Sequence, residues 1–129
     1  MLRRWWLLLP LLLLYPAPGE ADLKQVGAHI ASQTTTTIVS AVAGQKVQLQ
    51  SGTLCVDSNG AETGITIQDG ANTNLVGTSV VWVIGPGQCL WFPLQSGGYF
   101  NPTASGQSFQ IKTTVGNGPV EVWLQLLQQ

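Results

Sequence analysis

The stretch FQIKTTVGNGPVEVWLQLL, Phe109 to Leu127, decides the fold class. In its first half Phe109, Ile111, Thr113 and Val115 alternate with Gln110, Lys112 and Thr114. In its second half Val120, Val122, Leu124 and Leu126 alternate with Glu121, Trp123, Gln125 and Leu127. A period of two marks a strand with one face on a core and the other toward solvent. Gly116-Asn117-Gly118-Pro119 separates the two runs as a turn.

The same rhythm extends back along the chain. Ile38–Ala43 reads as a strand halted at Gly44, and Lys46–Val56 as the next. Within the second, Val47 and Leu49 share one parity while Leu54 and Val56 take the other. A one-residue bulge at Ser51-Gly52 would keep a single side of the sheet buried. Asp57-Ser58-Asn59-Gly60 reads as a turn, with Asn-Gly the favoured type I′ pair. Ile65 and Ile67 alternate with Thr66 and Gln68, and Asp69-Gly70-Ala71-Asn72 turns again. Val80–Ile84 is a continuous apolar run that suits a strand covered on both faces. Gly85-Pro86-Gly87 breaks it, and Cys89–Leu94 follows. No amphipathic helix appears after residue 33. About seven to eight short strands with frequent turns predict an all-β chain, a single antiparallel β-sandwich or jelly-roll-like domain over residues 34–129.

The start of the chain differs. Arg3 and Arg4 precede an apolar run from Trp5 to Tyr15, and Gly19-Glu20-Ala21 places small residues before a cleavage point after Ala21. That layout is a secretory signal peptide over residues 1–21. The run falls short of the ~20 apolar residues a spanning helix needs, so contact with a membrane is expected only through this leader. Residues 22–33 carry no clear pattern and are expected as an extended arm or linker.

Behind the leader, three lysines face five carboxylates, a net charge of −2. No basic patch survives, which argues against nucleic-acid binding through phosphate neutralisation. Solubility rests on Gln, Thr, Ser and Asn, and so weakly charged a surface favours association with other subunits or with itself. Two cysteines remain, Cys55 and Cys89. An even count behind a signal peptide favours a disulfide, and the alternative is two buried thiols on separate strands.

Two segments carry a family resemblance. TTTTIVSAVAGQKVQLQSGTLCV and YFNPTASGQSFQIKTTVGNGPVEVWLQ together resemble small tailed-phage virion-associated proteins. The matching pieces are Thr36–Val47 and the Ala104–Phe109 turn, and the strand rhythm fits over residues 34–125. The resemblance implies a compact β-sandwich that serves as capsid decoration or as a tail accessory subunit, with capsid or tail subunits as partners. The signal peptide departs from that pattern, because virion proteins assemble in the host cytoplasm. It points instead to an exported relative, periplasmic or extracellular, or to a surface module.

Residues able to do chemistry are scarce. His29 is the only histidine and lies in the expected arm, and the sequence has no G-x-S-x-G nucleophile elbow. Neither cysteine sits in a CxxC, and a zinc site is short of imidazoles. Asp57 to Glu62 offers oxygen ligands in a short loop, but without the regular acidic spacing of a calcium loop; a turn uses the same residues. Gly85-Pro86-Gly87-Gln88 leads into a strand and provides no helix start for a phosphate. No metal, cofactor or catalytic residue is therefore expected, and the chain reads as a non-enzyme. The candidates for partner contact are aromatic: Trp91, Tyr99, Phe100 and Trp123. Trp82 lies in an apolar run and reads as core. Trp123 falls on the Glu/Gln side of its strand, where an indole either anchors a protein interface or stacks on a sugar. The sequence thus supports an accessory subunit docking on a larger assembly, with an exported carbohydrate- or cell-surface-binding module as the alternative.

Overall fold

The computed structural model describes residues 21–114 and 118–129. The expected signal peptide lies outside the described residues apart from Ala21, as do Val115, Gly116 and Asn117 of the turn before the last strand. Eight strands run β1 Asp22–Ile30, β2 Thr35–Val39, β3 Val47–Val56, β4 Thr63–Asp69, β5 Trp82–Ile84, β6 Cys89–Phe92, β7 Phe109–Thr114 and β8 Val120–Gln128. They form two four-stranded antiparallel sheets, ordered β1-β8-β3-β6 and β2-β7-β4-β5. Successive strands mostly switch sheets, the double Greek-key arrangement of a jelly roll. The described residues contain no helix.

The alternation read in the sequence is the packing of the core. In β8, Val120, Val122, Leu124 and Leu126 point inward and are buried, while Glu121 and Trp123 face out. Phe109 and Ile111 do the same from the facing sheet, joined by Ile65 and Ile67 of β4. Each such side chain contributes about 1.5–3 kcal/mol when fully withdrawn from water. Leu54, Val56, Val47 and Leu49 complete the inner face of β3. Leu49 pairs with Leu126 and Ser51 with Gln125, so Gln50 is the extra residue that lets the parity change. The bulge sits one residue before the expected Ser51-Gly52. Gly52 follows with φ +150°, and a Cβ there would lie 2.5 Å from the Trp123 carbonyl oxygen. Only glycine fits against β8 at that point.

Several local expectations give way to tertiary pairing. The segment expected as an arm holds β1, which pairs along its whole length with β8, from Asp22↔Gln128 to Ile30↔Val120. Val26, Ala28 and Ile30 of β1 pack on the core. Val80–Ile84 yields only the three-residue β5, an edge strand bonded to β4 alone, and not a strand covered on both faces. Ile84 turns inward, whereas Val83 is 62% exposed. Asp57–Gly60 is a turn but not a type I′ hairpin: it carries β3 of one sheet to β4 of the other, and neither Asn59 nor Gly60 has a positive φ. Asp57 Oδ1 accepts from the Asn59 N–H and its carbonyl from Gly60, which closes the turn from the side chain as well as the backbone. At the other end of the sandwich, Asp69 Oδ1 accepts from the N–H groups of Ala71 and Thr73 and supports Asn72 at φ 65°.

Two buried threonines tie loops to strands. Thr113 Oγ1 accepts from the Thr34 N–H and donates to the Ala31 carbonyl, anchoring the β1–β2 connection on β7. Thr103 Oγ1 accepts from the Val47 N–H, and the Thr103 N–H donates to the Val47 carbonyl. The loop before β7 is thereby sewn to the start of β3.

Candidate functional site

The two outer faces of the sandwich differ in chemistry. On the β2-β7-β4-β5 sheet, register places Thr35, Lys112 and Thr66 in one cross-strand row and Thr37, Gln110 and Gln68 in the next. Gln68 Nε2 donates to Gln110 Oε1 and to Asn72 Oδ1, so the middle of this face is polar and partly bonded to itself, with Val83 exposed at its β5 edge. The outer face of the β1-β8-β3-β6 sheet is built otherwise. Gly27, Trp123, Thr53 and Trp91 lie in one row across its four strands. Trp123 is 70% exposed and Trp91 73% exposed.

The indole of Trp123 is accommodated by what β1 lacks. A Cβ on Gly27, its register partner, would lie 2.7 Å from Cζ3 and 2.9 Å from Cε3 of the ring. The bare backbone there lets the indole lie against the edge strand. Next to it, the row Gln25, Gln125 and Ser51 forms the walls of a shallow depression of about 460 Å³. Ser51 Oγ donates to Gln125 Oε1 at 3.0 Å.

On the other side of the tryptophan row, register aligns His29, Glu121, Cys55 and Cys89. His29 Nδ1 is hydrogen-bonded to the Glu121 carboxylate, and the two side chains are 60% and 50% open to water. The histidine is therefore held on a strand and belongs to no mobile arm. Cys55 and Cys89 are bonded, with sulfurs 2.05 Å apart and Cα atoms 4.0 Å apart, and join β3 to the edge strand β6. Lys24 pairs with Asp22 at 2.5 Å at the start of β1. Exposed pairs of this kind contribute at most about 1 kcal/mol.

The four aromatic candidates separate into two groups. Trp91 and Trp123 share the outer face. Tyr99 and Phe100 instead join Trp82 of edge strand β5 and Phe92 of edge strand β6 in a ring cluster, with centroids 5.3–5.9 Å apart. Tyr99 Oη donates to the Pro93 carbonyl, and the cluster packs on the core. Offset and edge-on contacts at these distances are packing interactions. Among the described residues no group of three His, Cys, Asp or Glu side chains is placed to hold a metal ion. Gln25, Gly27 and Ser51 escaped the sequence reading. Their membership follows from the pairing of β1 and β3 with β8, and only the exposed parity of Trp123 pointed toward them.

No protein-family model matches the chain, and no curated protein does. Among solved structures, one similar chain is a protein of the Bacillus endospore appendages, which form a family of disulfide-linked pili. The two share 16% identity over 88% of this chain and 93% of that one, at a TM-score of 0.47. Likeness at that level says nothing about what this chain does.

Proposed function

We propose that this chain is a non-catalytic accessory subunit that adheres to a larger body through the outer face of its β1-β8-β3-β6 sheet. The observation that carries this reading is the alignment of Trp91 and Trp123 in one exposed row, opposite a second face whose middle is occupied by threonine, glutamine and lysine. Single exposed apolar residues are ordinary, but two indoles on one sheet face make a patch, and tryptophan is enriched where proteins make contact. The resemblance to tailed-phage virion-associated β-sandwiches supports the finer form, a decoration or tail accessory subunit, held on its larger body through capsid or tail subunits or through a surface glycan. The Cys55–Cys89 bond supports an exported setting, since such bonds persist in oxidising compartments.

The test is co-sedimentation of the purified protein with virus particles or cell envelopes. The wild-type chain is expected in the pellet. The Trp91→Ala, Trp123→Ala double variant is expected in the supernatant with its all-β circular dichroism unchanged, because both indoles project from the outer face and neither belongs to the core. A chain that stays a free monomer beside every particle, or a double variant that pellets as well as the wild type, refutes the reading.

A further inference from the structure

We propose that the depression beside Trp123 binds a neutral sugar ring of a surface glycan, an inference that rests on the docking face above and names the chemistry it grips. The floor and walls supply two kinds of contact. One is the indole of Trp123, laid against the bare backbone of Gly27 with its ring open to solvent. An aromatic face of this sort takes up the C–H face of a pyranose, while a polar rim meets the hydroxyls. The other is the rim itself. Ser51 engages only the Oε1 of Gln125, and among the described residues neither the Gln125 NH₂ nor the Gln25 amide has a hydrogen-bond partner. These groups leave donors and an acceptor uncommitted around an apolar plate.

Charge narrows the ligand. No ionisable side chain lines the depression. The nearest charged groups of β1 and β8 are already engaged, His29 with Glu121 and Lys24 with Asp22. An anionic sugar or a nucleotide phosphate finds no counter-charge here. A protein anchor is favoured by a deep, desolvated pocket, whereas this site is shallow and rimmed by amides. Trp91 lies two strand spacings from Trp123 along the same row, roughly 10 Å. An oligosaccharide crossing the sheet thus meets a second indole.

The experiment is titration of the full chain with neutral oligosaccharides built on glucose, galactose, mannose or N-acetylglucosamine, followed by tryptophan fluorescence and calorimetry. Saturable binding to at least one class is expected. Trp123→Ala should weaken it at least tenfold, and so should Gly27→Val, which lifts the indole from β1 while circular dichroism stays native. Absence of binding to every oligosaccharide overturns the proposal, as does binding that survives both substitutions or that prefers sialylated or sulfated chains. If no oligosaccharide binds but co-sedimentation still depends on Trp123, the sugar assignment falls and the docking face stands. If neither is seen, both fall.

Discussion

Replacing both cysteines by serine, C55S/C89S, should cost this domain about 4 kcal/mol. The two cysteines are separated by 34 residues in sequence. In the chain-entropy relation a closed loop of about 35 residues removes roughly 13 cal/mol/K from the unfolded ensemble, which is about 4 kcal/mol at 25 °C. The folded side changes little. Cys55 and Cys89 are direct register partners, flanked by the Val56 N–H to Gln88 carbonyl bond at 3.0 Å and the Gly87 N–H to Val56 carbonyl bond at 3.0 Å. That ladder holds the strands side by side without the sulfurs. Since small domains are stable by only about 5–15 kcal/mol, the loss is large, and the melting temperature should fall by roughly 15–30 °C. Urea unfolding followed by circular dichroism and tryptophan fluorescence gives the measurement. The midpoint should fall, and the slope m should rise, because the unlooped denatured chain exposes more surface. A variant within 1 kcal/mol of wild type with an unchanged m would refute loop closure as the source of stability.

Three further substitutions test the core architecture. Gly52→Ala forces a Cβ to 2.5 Å from the Trp123 carbonyl oxygen at φ +150°, so it should lower stability by about 2 kcal/mol or more; a melting temperature within 3 °C of wild type would contradict the close approach of β3 and β8. Gln50 is 6% exposed at the bulge and its Nε2 has no partner among the described residues, so Gln50→Met should raise stability by about 1 kcal/mol with m unchanged. A loss of that size instead would mean the amide is satisfied. Thr103→Val removes the acceptor of the Val47 N–H and should cost about 1–3 kcal/mol, with faster hydrogen exchange at Val47 as the local signature.

Legibility differed from element to element for identifiable reasons. β7 and β8 were readable because their inward sets, Phe109 and Ile111 or Val120 through Leu126, are large and strictly alternating. β1 was not, since its inward positions include only Val26, Ala28 and Ile30 against an outward row broken by Gly27. The run Val80–Ile84 misled because continuous hydrophobicity does not distinguish a central strand from an edge strand beside a ring cluster. Asn59-Gly60 misled because the type I′ preference belongs to strands that pair with each other, and β3 and β4 lie in different sheets. At the site, the outward parity of Trp123 was visible. The glycine beneath its ring and the amides beside it were not.

What the sequence determined by itself was the side of β3, β4, β7 and β8 that meets the core, and hence an all-β sandwich with an outward Trp123. That property is local: a two-residue period is complete within a few positions. The tertiary structure alone decided which strands are neighbours. The pairing of β1 with β8 and of β3 with both β8 and β6 brings Gly27, Trp123, Thr53 and Trp91 into one row, although they come from both ends and the middle of the chain. Register between distant strands is chosen by how the two inner faces fill each other, and the composition of the outer face follows from that choice.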